Sequence, residues 1–400
     1  MKKKETLWSG QFLLLLCVTL FNGAAGMMTI PLVTEYAMTV GADLTMASTV
    51  SGLMSIAGMI ACPFAGLLAD RISRKWILVF ANLGYCLSFV CHAFCGNLVS
   101  LMIVRTFTGI FFGVTNVVNI AYSANYIPKE RMGEGLGYFA LANIVAQAFG
   151  PSVGIWLLEA SGYTMTFIGA GLSALITMAI VLVIPDKEGK KDPALAKRKI
   201  VLKELFAIEF TSFMLMAVLF SGANGLVSTY IKLIAKERNI ENIALFFTFY
   251  SAAMVVLRPL TGKLMDKKGV FIILIPSFFF AAIGMVFVGI GSSLAMMLAA
   301  GVFKALGQGS GTPSIQAYCV KSLDKSRAGV ASSTILIGQS IGNAVSPILG
   351  SFVVKSAGYE TMFIGAGIIV LAGGLLLFLI QRNLDRKKQS IRVSELSVSE

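Results

Sequence analysis

Apolar runs of about 20 residues recur along the whole chain, separated by short charged turns, and each is long enough to cross a hydrocarbon core of roughly 30 Å as a helix. No water is present there to satisfy backbone N–H and C=O groups, so such runs must close their hydrogen bonds internally, as helices. A transmembrane barrel would instead show segments of about ten residues alternating apolar and polar. The composition agrees, with 56% hydrophobic and 13% charged residues. Spans are expected near residues 11–35, 46–68, 76–96, 98–123, 135–158, 163–184, 206–231, 242–262, 270–291, 293–320, 328–354 and 359–381. The fold class is therefore an all-α membrane protein with twelve transmembrane helices.

Charge placement orients these spans. With the N-terminus in the cytoplasm, Lys2–Lys4, the Arg71–Lys75 hairpin, Lys129, Arg131, the middle loop, Lys263–Lys268, Lys321–Arg327 and the C-terminal tail all fall inside. These hold roughly 26 of the 33 basic residues, against Lys232, Lys236, Arg238 and Lys355 outside, which is the asymmetry of the positive-inside rule. The net charge of +13 is thus accounted for without a nucleic-acid partner. The first run follows Lys2–Lys4 and contains Ala24-Ala25-Gly26, as a signal peptide does, but it stays apolar to Ile30 and beyond and is read as the first span. The six cysteines lie inside spans without metal-ligand spacing, so no metal and no cofactor is expected.

The chain is also two copies of one half. Pro63, Gly66 and Asp70 return as Pro259, Gly262 and Asp266, all 196 residues later. The stretch from Ser161 to Gly171 returns from Ala357 to Gly367, Pro151 and Gly154 return as Pro347 and Gly350, and Tyr122 returns as Tyr318. Several independent segments at one offset exclude accident. The expected organisation is a six-helix bundle over 1–184, a cytoplasmic linker over 185–205, a second six-helix bundle over 206–382 and a tail over 383–400. Parallel repeats of this kind are related by an axis along the membrane normal, with a central site between them.

The residues Gly66-x-Leu68-Ala69-Asp70-Arg71-x-Ser73-Arg74-Lys75 resemble motif A of the major facilitator superfamily, with Ser73 at a usual glycine. The 6+6 arrangement and long middle loop are similar to the same superfamily. Arg105 with Gly109 resembles motif B of its proton-driven exporters, with Thr108 at the usual glutamine. Gly150-Pro151-Ser152-Val153-Gly154 resembles the antiporter motif C, with Ala146 and Ile155 at usual glycines. The resemblance is to the drug:proton antiporter, or efflux permease, families. It implies that Asp70 meets the N-terminus of span eleven and nearby Arg71 or Arg74 when the cytoplasmic side is shut, a contact an acid makes favourably. Gly66 would let span two approach a neighbouring helix closely. Gly262 and Asp266 belong to the second, thinner copy of this hairpin, with a solvated turn carrying orienting charge as the alternative to gating by Asp70. Arg258, near the cytoplasmic mouth of span eight, is read as a gate or orientation residue before a ligand site.

Polar residues inside spans mark the expected substrate cavity. Arg105, Thr108, Phe112, Asn116, Asn119 and Ser123 share one face of span four. A buried charge such as Arg105 is a functional hypothesis in a membrane, with a structural ion pair or snorkelling as the alternative. Asn143 and Gln147 return as Gln339 and Asn343, four amides expected to face one another across the centre or to bond helices within each half. Asn22, Asn224, Lys304 and Gln308 complete the expected cavity. Glu35, near the outer end of span one, and Arg105 are the candidates for proton coupling, with a plain loop acid as the other reading of Glu35. His92 reads as a packed histidine. Gly150, Pro151, Gly154, Pro347 and Gly350 are expected helix bends.

No catalytic motif appears, so the chain is read as a transporter and not an enzyme. The expected function is proton-coupled efflux of small amphiphilic, neutral or anionic molecules by alternating access. A facilitator-type importer of a small metabolite such as a sugar or organic anion is the alternative, and a transporter-like sensor a third. The expected partners are the lipid bilayer, a small-molecule substrate and protons, for a monomer in the cell membrane with both termini cytoplasmic.

Overall fold

The computed structural model describes the backbone of residues 7–128, 131–186, 208–321 and 328–398, and no strand occurs among them. The first helices are α1 (Gly10–Thr39), α2 (Leu44–Arg71), α3 (Arg74–His92) and α4 (Leu98–Ser123). Three of these starts are capped by a short polar side chain: Ser9 accepts from the Phe12 N–H, Asp43 from Met46 and Asn97 from Ser100. The helix Met132–Val183 breaks at Gly162, where φ is 81°. A left-handed residue turns the chain back on itself, and glycine takes that conformation without strain. The two pieces are α5 (132–161) and α6 (163–183).

The second half repeats this plan with α7 (Thr211–Glu237), α8 (Leu245–Lys268) and α9 (Phe271–Ile290). Next comes α10 (294–321), interrupted by a π turn at Ala305–Gly309. The helix Ala328–Val398 breaks at Gly358, φ 79°, into α11 (328–357) and α12 (359–398). Gly162 and Gly358 are repeat partners and take the same conformation. Among the described residues nine helices are long and apolar enough to cross a membrane, two of them 50 and 52 residues long. Those two hold the glycine breaks and so supply two spans each, and α10 is the twelfth. The expected linker lies outside the described residues beyond Asp186. The last helix runs to Val398, past the expected end of span twelve, because hydropathy marks where apolar residues stop and not where helix does.

The two bundles differ inside. The second has one large apolar core, in which Phe220 and Phe278 stack at 4.8 Å, with Tyr250, Met254 and Ala305 in a small separate cluster against Ile144. The first has its core split into separate clusters by buried Asn82, His92, Arg105 and Asn119. At those four positions the second half has Phe278, Val288, Gly301 and Ile315.

Call the end carrying the α1–α2 turn the loop face, and the end from which α1 starts, carrying the α2–α3 turn, the tail face. The contacts described between the halves gather at the loop face. Glu35 of α1 pairs with Lys232 at 2.8 Å and Lys236 at 3.1 Å, both on α7. Asp43 pairs with Lys355 of α11 at 2.8 Å. Ser48 bonds Tyr230 at 2.8 Å, Ser351 donates to Thr45 at 3.1 Å, and Ser152 of α5 donates to the Ala244 carbonyl at 3.1 Å. Gly52 lets α2 touch α11, since a Cβ there would stand 2.7 Å from the Ala344 carbonyl oxygen.

At the tail face the picture is different. Gly66 and Gly262 have nothing within 4 Å of a Cβ position. The close approach expected of α2 at Gly66 is absent in this conformation, in which α2 meets α11 at Gly52 and α4 at Gly58. Arg74 and Lys75 each bond groups of their own half. Arg74 donates to the Ala121 carbonyl and to Asn125 of the α4 end, and Lys75 to the Leu182 and Ile184 carbonyls at the end of α6. Cations there satisfy helix C-terminal carbonyls. Arg71 is exposed and lines an apolar groove between α2 and α4. The side chains of Asp70 and Asp266 lie outside the described residues.

Candidate functional site

Just beneath the loop-face seal lies a cavity of about 180 Å³ with walls from both halves. From the first half come Met27, Ile30 and Pro31 of α1, Ser51, Met54 and Ser55 of α2, Arg105 and Phe112 of α4, and Gln147 and Pro151 of α5. The second half supplies Asn224, Ser228 and Thr229 of α7, Phe247 and Tyr250 of α8, Lys304 of α10 and Asn343 of α11. The lining thus mixes charged, amide and hydroxyl side chains with thioether, aliphatic and aromatic ones.

Close helix contacts hold these walls in place. A Cβ on Gly154 of α5 would overlap the Met28 carbonyl of α1, and one on Gly150 would stand 2.6 Å from Met27 Cβ. On the other side, a Cβ on Gly225 of α7 would stand 2.9 Å from the Asn343 carbonyl oxygen, and Gly350 is pressed against Leu226. Tyr230 donates to the Pro347 carbonyl at 2.6 Å, using an acceptor next to the bend that proline makes.

Two cations reach the cavity. Arg105 is 1% exposed; its Nη1 donates to Thr29 Oγ1 at a long 3.4 Å, and its Nε has no partner among the described residues. Lys304 is 8% exposed, and its Nζ lies 3.7 Å from the centroid of the Tyr250 ring, a cation–π contact. The π turn begins directly after Lys304, and Gly307 within it presses on α9, where a Cβ would stand 2.6 Å from Ala281 Cα. Such turns insert one residue into a helix and re-aim the side chains around them. No carboxylate lines the cavity among the described residues.

Other expected cavity residues sit elsewhere. Asn22 and Asn119 are buried inside the first bundle, where Asn119 donates to Thr19 at 2.9 Å. Asn116 bonds back to the Phe112 carbonyl and Asn143 to that of Phe139, with Asn143 against Gly23 of its own half. The expected facing of four amides across the centre is corrected as well. Asn343 accepts from Asn224 at 2.9 Å within the second half, and it donates to the Gln339 carbonyl. Only Gln147 and Asn343 of the four line the cavity. Gln308 lines a small void beside Lys304 and Asn224. Arg258 lies with Glu134 and Tyr138 in a groove between α5 and α8 toward the tail face. His92 is fully buried, its Nδ1 at 2.8 Å from the Ser88 carbonyl and its ring 5.1 Å from Phe167. The hydroxyls of Ser51, Ser55, Ser228 and Thr229 line the site without any signal in the sequence.

Glu35 lies at the seal and not in the cavity. Its carboxylate is 14% exposed and Lys232 13%, whereas Lys236 is 73% exposed and adds little. Glu35→Gln should open the loop face about tenfold more often, since a charge-assisted bond at a half-buried site is worth roughly 1.5 kcal/mol. Labelling of Ser228→Cys by an impermeant thiol reagent added at the loop face measures this, and an unchanged rate would take Glu35 out of the seal.

A family model described as Major Facilitator Superfamily matches the chain over residues 15–292 and again over 213–398. The chain belongs to the major facilitator superfamily. Members of this superfamily are transporters and not enzymes, so the protein is a multi-pass membrane transporter of small molecules. Its two overlapping matches reflect the internal repeat. It is 26% identical over 361 residues to an uncharacterized MFS-type transporter of Methanocaldococcus jannaschii, covering 87% of this chain and 92% of that one. It is 24% identical over 400 residues to the multi-drug resistance efflux pump PmrA of Streptococcus pneumoniae, covering 96% of each. Multidrug resistance protein MdtG of a Rahnella species is 26% identical over 385 residues, covering 91% and 90%. Among solved structures, a POT family transporter in complex with a thioalcohol-conjugated peptide superposes with a TM-score of 0.80 at 13% identity, covering 95% of this chain and 98% of that one. The nucleoside transporter NupG gives 0.73 at 11%, covering 92% and 99%. At those identities the structural likeness concerns the superfamily fold alone.

Proposed function

We propose that this major facilitator protein exports small amphiphilic, neutral or anionic molecules across the cell membrane by alternating access, in exchange for protons. The observation that carries the reading is a cavity between two repeat-related bundles, sealed on one face by contacts between the halves and with both tail-face glycines in open space. Rocking the bundles about that cavity, with 185–205 as the tether between 1–184 and 206–382, moves it from one face to the other. The basic residues of the tail face support a cytoplasmic location for it, and on that reading a cavity sealed at the loop face loads its cargo from inside. The likeness of Gly150–Gly154 to the antiporter motif, and relatives named as efflux pumps, support export.

Inverted membrane vesicles loaded with a pH gradient, tested against a panel of metabolites and drugs, decide the matter. Accumulation that collapses when the pH gradient is dissipated is the expected result. Flux that follows only the solute's own gradient, unaffected by the gradient of protons, would replace export by facilitated uptake. Absence of flux with every compound would favour a sensor.

A further inference from the structure

Charge in the central cavity is of one sign. Arg105 enters from the first half and Lys304 from the second, both more than nine-tenths buried. The acids of the seal are already engaged: Glu35 with Lys232 and Lys236, and Asp43 with Lys355. An unpaired buried charge costs several kcal/mol, and inside a membrane such a group faces an ion pathway or ligand by default. Two of them sharing one small cavity compound the cost.

The repeat sharpens the point. The partner position of Arg105 is Gly301, and that of Lys304 is Thr108. Neither cation is a structural charge inherited by both halves. They stand on equivalent helices but three residues out of step, about 4.5 Å along the helix. Arg105 has a free Nε edge, the planar fork that grips two oxygens of one anionic group. Lys304 offers a point charge braced, among the described residues, by the face of Tyr250. Around them, Met27, Ile30, Met54, Phe112 and Phe247 provide an apolar wall.

We propose that the cargo is an organic anion, an apolar body bearing a carboxylate, sulfonate or phosphate group, bound between Arg105 and Lys304 and bridging the two halves. This rests on the transport reading and narrows its substrate class. A bound anion pairs with both walls at once and offsets part of their shared positive charge, so it favours drawing the halves together where an empty cavity resists it.

The test is made on purified protein, without flux. Thermal unfolding is followed with phenylacetate, phenylacetamide and phenethylamine, which share a ring and chain and differ in charge. Phenylacetate should raise the melting temperature and the other two should not. Lys304→Met keeps the side chain's length without its charge. It should raise the melting temperature of the ligand-free protein by about 2–4 °C and abolish the response to phenylacetate. A lower melting temperature in that variant would mean that Lys304 has a structural partner, and overturns the proposal. So does stabilisation by phenethylamine equal to that by phenylacetate, or none by phenylacetate. Because binding is read directly, failure here is separate from failure of the vesicle assay.

Discussion

Arg105→Met should lower transport at least about a hundredfold while leaving the protein as abundant and as folded as the parent. The guanidinium is buried at the cavity wall with one long hydrogen bond and no acid beside it among the described residues. Little of its energy therefore goes into holding the fold, and methionine refills most of its volume. A hundredfold loss corresponds to about 2.7 kcal/mol, within what a charge-assisted contact to cargo supplies when both groups are out of water. Arg105→Lys separates two explanations. It retains the charge but not the fork, so transport should fall between parent and methionine variant if geometry matters as well as charge. Vesicle flux, normalised to the monodisperse protein recovered by size exclusion, gives both numbers. Undiminished flux in the methionine variant would remove Arg105 from the mechanism.

The fold was readable because its signals are long. Twelve apolar runs and an offset of 196 residues survive any local uncertainty, and the glycine breaks at 162 and 358 lie inside the repeated stretch itself. The cavity was readable in part. Arg105, Gln147, Asn224, Lys304 and Asn343 stand out as large polar groups in apolar spans, and the structure brings them to one place. Asn22 and Asn119 stand out equally but turn the other way. A helix in a six-helix bundle has two buried faces, one toward the central axis and one toward its own half, and a polar stripe does not say which it occupies. Short hydroxyls such as Ser51 and Ser228 carry no signal, because membrane helices routinely absorb them by bonding to the preceding turn, as Thr19 and Thr108 do here. The Glu35–Lys232 pair depends on how the halves dock, and nothing local encodes that. The π turn after Lys304 was also invisible, though the run Gly307, Gly309, Gly311 marks where α10 gives up regular packing.

Two glycines in look-alike motifs should then respond in opposite ways to the same change. Gly154→Val should abolish recovery of folded protein, since the new Cβ overlaps the Met28 carbonyl and lies 2.9 Å from Met28 Cα. The obstacle is backbone, so no rotamer relieves it. Nor can α1 back away, because Gly23 and Gly150 are pressed into the same seam, against Ala146 and Met27. Overpacking of side chains costs about 1–3 kcal/mol, and a clash with fixed backbone exceeds that, against a total stability of roughly 5–15 kcal/mol. Gly66→Val meets nothing within 4 Å. It should leave yield and melting temperature near those of the parent, because a β-branched residue costs a helix only a few tenths of a kcal/mol beyond other side chains. If α2 needs a bare backbone at Gly66 when the tail face shuts, valine holds the protein in the conformation described here. Labelling of Ser228→Cys from the loop face should then fall to background while folded protein persists. Equal yields from both variants, or loss of Gly66→Val protein to match Gly154→Val, would mean that the tail-face glycine serves packing in this state and not the closing of the other.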